Sequence, residues 1–301
     1  MSAQSNPTLL VTGIGMTLCA GMLFATMDGF AKTLAATLPV MQVVWGRYIF
    51  HTLAVGSVLA ARHRGIGFLR TRHPVLQFLR GMALLSSTLM MYLALSHIPL
   101  ADATAVLFFS PVFVTLLSVV FLGERIGIHR IVAVIAGFVG VMLVVRPQFG
   151  GTDPWLLLPL GAVVSNSLYL MMTRRLAGRE DAAATQFNTT AAGAVIMSVL
   201  VAFVWQPPTL AQWGMLMAAG LLGACGHSLL VKAFAVAPAS LLSPFLYSQV
   251  IFASAISVAI FGDPMHPLTL AGTGILIASG VYIWWRENRR RLTVRPSTPR
   301  R

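Results

Sequence analysis

Few side chains in this sequence could do chemistry, and those few fall inside long apolar runs. Asp28 and Lys32 stand four residues apart, in the acid-first order that favours an ion pair along one helix face. An ionised group near a bilayer centre costs roughly 2.5–3.5 kcal/mol on insertion scales. The two are therefore either a partly hydrated pair or a working site in which Asp28 holds a solute ammonium or a coupling proton. Arg47, in the next apolar run, is either an anchor for a carboxylate or the partner of Asp28. Arg80 comes two turns into a third run and is expected to snorkel to the nearer interface.

Thr104 and Phe108 share a helix face, and so do Ser243 and Tyr247, each couple setting one hydroxyl beside one aromatic ring. Either these faces line a cavity, or the hydroxyls aid helix packing and the rings fill space. Asn166 and Tyr169 share a face near the middle of another run, and an amide in hydrocarbon needs a partner, from a helix or a solute. His227 lies among small residues in Ala224-Cys225-Gly226-His227-Ser228, as a packing residue or as a proton carrier titrating near neutrality. Pro111 cannot donate to the carbonyl of Leu107 and crowds that turn, so a kink is expected there. Pro244 enters one turn into a later run. HExxH, GxSxG, P-loop and clustered His/Cys patterns are all missing, which argues against an enzyme and leaves no expected cofactor or metal site. Cys19 and Cys225 form neither a CxxC nor a disulfide framework.

The elements that position these residues follow from composition. The chain has 301 residues, 57% hydrophobic and 10% charged, with mean hydropathy +0.81. Soluble globular domains carry about 25% charge, so there is too little here to wet a surface. A membrane helix needs roughly 20 mostly apolar residues. Ten runs qualify, at 9–36, 40–61, 74–96, 101–122, 129–146, 154–173, 183–205, 212–235, 240–261 and 268–286. The fifth is the shortest, with Arg130 and Arg146 at its ends free to snorkel. The net charge of +13 then reads as an orientation signal rather than as a nucleic-acid footprint. With the N-terminus inside, the inner loops and tail hold sixteen of the twenty-one Lys and Arg residues, which predicts that both termini are cytoplasmic. Trp155, Trp205, Trp213, Trp284 and Trp285 fall at span ends, as an aromatic belt requires.

A shift of 139 residues superposes Ala94, Pro99, Leu107, Phe113, Ser118, Val119 and Gly123 on Ala233, Pro238, Leu246, Phe252, Ser257, Val258 and Gly262. Glu124 meets Asp263, Thr104 meets Ser243 and Phe108 meets Tyr247. Five spans per repeat force the halves into opposite orientations, the plan of secondary transporters with a site near the midplane. The run from Tyr92 through His97-Ile98-Pro99 to Ala103, then Ser110-Pro111-Val112-Phe113, Phe121-Leu122-Gly123-Glu124-Arg125 and Gly137 to Val141, resembles the EamA module of the drug/metabolite transporter superfamily. The second half repeats it more loosely, with Asp263-Pro264 in place of the usual Glu-Arg. Size and tandem halves are similar to YddG-type exporters of amino acids and related metabolites.

The resemblance implies an all-α polytopic membrane protein of ten transmembrane helices, arranged as two inverted five-helix repeats around a central cavity. Repeat 1 would occupy residues 1–150, repeat 2 residues 151–290, and a basic cytoplasmic tail 291–301. The expected activity is export or exchange of amino acids or similar small metabolites across a bacterial-type inner membrane, by alternating access. A cofactor, nucleoside or drug-like substrate is the alternative, and a channel the less favoured one. Thr104, Phe108, Asn166, Tyr169, His227, Ser243 and Tyr247 are the expected solute contacts. Asp28, Lys32 and Arg47 are expected to couple or pair, and Pro111 and Pro244 to bend. The partners are a small solute and the lipid bilayer, with no nucleic acid. Small-residue spacings at Ala133/Gly137, Ala136/Gly140 and Gly274/Ala278 point to close contacts within a monomer, a dimer seam being the other use.

Overall fold

A computed structural model describes residues 7–122, 128–146, 154–176 and 179–293. The Gly123-Glu124-Arg125 motif and the tail from residue 294 lie outside the described residues. The described chain folds into helices α1 (Pro7–Ala35), α2 (Val40–His63), α3 (Pro74–Leu95), α4 (Leu100–Leu107), α5 (Ser110–Leu122) and α6 (Ile128–Val145). The second half supplies α7 (Leu157–Leu176), α8 (Ala182–Leu200), α9 (Leu210–Val236), α10 (Ala239–Leu242), α11 (Ser248–Ala259) and α12 (Pro267–Thr293).

Local chemistry sets the boundaries. Pro39 and Pro99 precede α2 and α4, and Pro74 opens α3; a missing N–H costs nothing at a helix start. Asp181 caps α8 by accepting from the backbone amides of Ala183 and Ala184. Thr209 and Gln212 form a reciprocal capping box at the start of α9. Between the ends, apolar side chains cover the outward faces: Val195 is 68% and Phe203 81% exposed, which suits lipid and not water.

Among the described residues, eight helices are long and apolar enough to cross a membrane, where the sequence led us to expect ten. The difference lies at the fifth and ninth runs. They appear as shorter apolar segments, Ile131–Val145 and Ser243–Ala259. The fifth is bounded by the charges seen in the sequence, while the ninth starts with a tight 3-10 turn, Ser243–Tyr247, that an apolar count does not reveal.

The two halves pack with one pattern. Pair α1 with α7, α2 with α8, α3 with α9, α4–α5 with α10–α11, and α6 with α12. The α1–α9 contact then corresponds to α7–α3, α2–α9 to α8–α3, and α1–α11 to α7–α5. The contacts α2–α8, α4–α11 and α6–α12 map onto themselves. The buried core draws on both halves, with Tyr48, Leu85 and Val106 meeting Met197, Leu216 and Leu276.

Small residues make the closest of these seams. A Cβ on Gly272 would lie 2.5 Å from the carbonyl oxygen of Gly140, and one on Gly140 would lie 2.8 Å from that of Gly272. Gly140 therefore serves as expected, whereas the expected Gly274/Ala278 face does not. Gly274 faces open space, because it sits on the opposite side of α12 from the α6 seam.

Candidate functional site

Two helix breaks prepare the site. Helix α4 ends at Leu107, and α5 restarts at Ser110, with Phe108 and Phe109 in the turn between. Pro111 brings no N–H to the carbonyl of Leu107, which instead accepts the hydroxyl of Ser110 at 2.7 Å. The carbonyl of Ser110 in turn accepts the hydroxyl of Ser167, on α7, at 3.2 Å. In the other half Pro244 lies in the 3-10 turn Ser243–Tyr247, so the repeat partners Phe108 and Tyr247 both sit at breaks. Unwound backbone at matching positions of two repeats is where transporters place their sites.

A cavity of about 270 Å³ lies beside these breaks, walled by helices of both halves. Asp28 and Arg47 are its charged residues. Asp28 is 5% exposed and accepts the side-chain amide of Gln249, on α11, at 3.3 Å. Arg47 donates from Nη1 to the Tyr92 hydroxyl at 3.2 Å, and its guanidinium lies 5.3 Å from the Tyr92 ring centre and 5.9 Å from that of Tyr48. The two charges attract one another, yet among the described residues no direct ion pair joins them. Each keeps capacity for a further partner.

The structure brings Phe108, Asn166, Tyr169, His227 and Pro111 to the same cavity. Thr104, Ser243 and Tyr247 stand outside its lining. Thr104 is fully buried, and its hydroxyl has no partner among the described residues. Tyr247 stands behind Phe108, ring centres 5.6 Å apart, and its own hydroxyl likewise has no partner among the described residues. Phe108 keeps the helical bond from its N–H to the Thr104 carbonyl, at 3.1 Å, yet only the long ring reaches the cavity, while the short Thr104 side chain ends within the packed interior.

Two expectations about charges are corrected. Lys32 does not pair with Asp28: its ammonium is 2.9 Å from Asp263 Oδ2 and donates to the Ile98 carbonyl at 3.1 Å. A lysine one turn beyond the cavity reaches toward the helix end and its loops, which leaves Asp28 to the interior. Arg80 does not snorkel. It is 1% exposed and bonded to Gln77, Thr173, Thr185 and Thr189, because α7 and α8 cover the face of α3 from which it projects.

Several polar residues escaped the sequence reading. Tyr48 and Gln249 look like ordinary span residues, and Tyr92 enters the sequence reading only as the first residue of the EamA-like run. Asp102 binds Arg146 at 2.8 Å and accepts the Thr269 hydroxyl at 2.9 Å, tying α4 to α12 and to the end of α6. Glu180, in the α7–α8 loop, accepts from the Thr71 hydroxyl and from the backbone amides of Arg72 and His73. These donors hold its carboxyl down at about 2.

Comparison with known proteins agrees with this architecture. The model of the EamA-like transporter family matches residues 11–146 and again 153–285. An S-adenosylmethionine uptake transporter of Rickettsia bellii is 27% identical over 92% of this chain and 94% of its own. The pseudopaline exporter CntI of Pseudomonas aeruginosa is 29% identical over 89% of this chain and 94% of its own. A riboflavin transporter of Vibrio cholerae is 27% identical over 97% and 98%. One protein of known crystal structure superposes with TM-score 0.61 over 94% of this chain and 99% of its own, at 21% identity, which speaks for the fold alone.

Proposed function

The chain belongs to the EamA-like transporter family, and on that premise we propose that it is a secondary carrier of zwitterionic metabolites, working by alternating access. It is a multi-pass membrane protein whose solutes are small metabolites or cofactors. The observation that carries the finer reading is the cavity between the repeats, in which Asp28 and Arg47 face the same space without closing on each other. Asp28 takes the solute's ammonium and Arg47 its carboxylate, while Phe108 and Tyr169 cover its less polar part. A volume of about 270 Å³ falls just below the range of ligand pockets, roughly 300–1,000 Å³, and so favours compact solutes.

The architecture proposed for this activity has ten crossings. The α10–α11 run, with its 3-10 turn, extends about 34 Å at 1.5 and 2.0 Å per residue, enough for a hydrocarbon core of about 30 Å. The 18 residues of α6 reach about 27 Å. Residues 1–150 and 151–290 are then inverted repeats, the arginine-rich loops and the tail 291–301 face the cytoplasm, and the protein acts as a monomer in an inner membrane. The matched breaks and the exchange symmetry of helix contacts support this arrangement.

Amino acids are the first substrate class, as single zwitterions. The relatives favour a second one, since their names point to S-adenosylmethionine and riboflavin. They also differ in direction, uptake in one and export in another. Counterflow into proteoliposomes separates these readings. Vesicles loaded with unlabelled amino acids, S-adenosylmethionine or riboflavin are given the labelled compound outside. Saturable accumulation of a carboxylate-bearing zwitterion is expected. Flux of riboflavin alone would remove the zwitterion reading, and conductance without saturation would make the protein a channel.

A further inference from the structure

We propose that the protein holds a second solute station, a polar cavity of about 280 Å³ in which Arg80 takes the carboxylate of the transported zwitterion. The inference rests on the zwitterion reading above and adds a residue and a place to it. The cavity lies among α2, α3, α7, α8 and α9, on the arginine-rich side of the central one. It extends from Glu180 and Ala182 near the loops to His51 and His227 in the interior. Tyr169 and His227 border both cavities, so these two side chains form a shared partition.

Among the described residues, Arg80 has no ion-pair partner. A guanidinium has five N–H donors. Nε donates to Gln77 Oε1 at 3.1 Å and Nη1 to the Thr173 hydroxyl at 3.3 Å. Nη2 serves the Thr185 carbonyl at 2.6 Å and the Thr189 hydroxyl at 2.9 Å. Tyr169 is a further hydrogen-bond partner of the guanidinium, whose carbon lies 5.4 Å from the centre of that ring. All of these acceptors are neutral, and among the described residues no carboxylate lies within ion-pair distance. A buried cation with neutral partners is expensive to keep as a mere brace. Gln77 already links α3 to α8 through the Thr185 hydroxyl, at 3.1 Å, without any charge. A positive charge at the wall of a cavity is explained by a ligand that brings the negative one.

Glu180 narrows the class of ligand. It also faces this cavity, and its carboxylate is anchored by Thr71, Arg72 and His73. A fixed negative charge repels phosphate esters and other multiply charged anions while attracting an ammonium. Each cavity therefore presents one acid and one arginine, Glu180 with Arg80 here and Asp28 with Arg47 in the centre. A zwitterion passing Tyr169 and His227 leaves one pair of counter-charges for another, rather than for bare hydrocarbon.

The test measures half-saturation separately at the two faces, in right-side-out and inverted membrane vesicles, with labelled S-adenosylmethionine, single amino acids and riboflavin. Arg80→Gln is expected to raise half-saturation for the zwitterions about 10- to 100-fold at the arginine-rich face, the loss of one charge-assisted hydrogen bond, and less than about twofold at the other. Riboflavin, which has no carboxylate, is expected to change by less than about twofold at both. Arg80→Lys keeps the charge and is expected to return within about threefold of wild type. Equal shifts at both faces, no shift at all, or a lysine variant no better than glutamine overturn the station in favour of a structural brace. Should Arg80→Gln fail to insert, the lysine variant decides by itself, because a brace loses its four-bond fork and shifts both faces. Wild-type vesicles that carry no zwitterion remove the underlying reading and the station with it. Vesicles that carry one with Arg80 variants shifted alike at both faces remove only the station.

Discussion

Replacing Gly280 by alanine tests how tightly the second helix break is held. The new Cβ would lie 1.8 Å from the Tyr247 hydroxyl oxygen and 2.4 Å from its Cζ. Unbonded atoms of this kind rest at about 3.5–4.0 Å, so ring or helix must yield by roughly 1.5–2 Å. Tyr247 is 6% exposed, and its ring is rigid. Phe108 stands 5.6 Å away, between that ring and the cavity. The easiest relief tips Tyr247 toward Phe108 and pushes Phe108 into the solute space. Overpacking of this sort costs about 1–3 kcal/mol, and a clash with a ring belongs at the upper end. For a chain of this size that corresponds to a melting point lowered by roughly 3–5 °C. Melting of the purified protein, followed by size exclusion, reads the first effect, and counterflow reads the second. In a Tyr247→Leu background the hydroxyl and ring tip are gone, so Gly280→Ala is expected to cost under about 1 kcal/mol. Two losses that simply add, or a Gly280→Ala protein with wild-type melting and flux, would refute the reasoning.

Further outcomes follow from the same geometry. Asp28→Asn and Arg47→Gln are each expected to lower zwitterion flux at least about tenfold, as loss of a charged contact implies, with riboflavin flux much less affected; counterflow with both solutes checks this. Glu180 has its carboxyl held down at about 2, so the folded state binds the proton less readily than the unfolded one. Its contribution is complete above the ordinary carboxylate value and disappears as pH falls toward 2. The melting difference between wild type and Glu180→Gln should therefore be constant from pH 8 to about 5 and shrink below about pH 4.5. Asp102→Ala strands Arg146 and Thr269 and is expected to cost about 3 kcal/mol, whereas Asp263→Ala, which removes a more exposed carboxylate from Lys32, costs about 1; parallel melting curves compare them.

Helix positions and the family were legible in the sequence because both depend on one-dimensional signals. Apolar runs bounded by prolines and arginines gave most helix ends within a few residues, as at Val40–His63 and Leu210–Val236. The repeat offset placed Phe108 opposite Tyr247, and the structure puts a break at each. Pro111 lies just after the first break, and its missing donor is a property of a single residue's covalent chemistry.

Charge partners were not legible, because a long side chain chooses among neighbours that only packing supplies. Spacing joined Asp28 to Lys32, but Lys32 reaches Asp263, which lies 231 positions away in the sequence. A position two turns inside a span pointed Arg80 toward the interface, and the helices covering that face of α3 enclosed it instead. The sequence by itself determined a membrane-spanning helical chain with a repeat, through hydrophobic run length and periodicity. Only the tertiary structure decided that Asp28 and Arg47 share a cavity and that Arg80 faces another. Those juxtapositions arise where helices from the two halves cross, and no local pattern encodes a crossing.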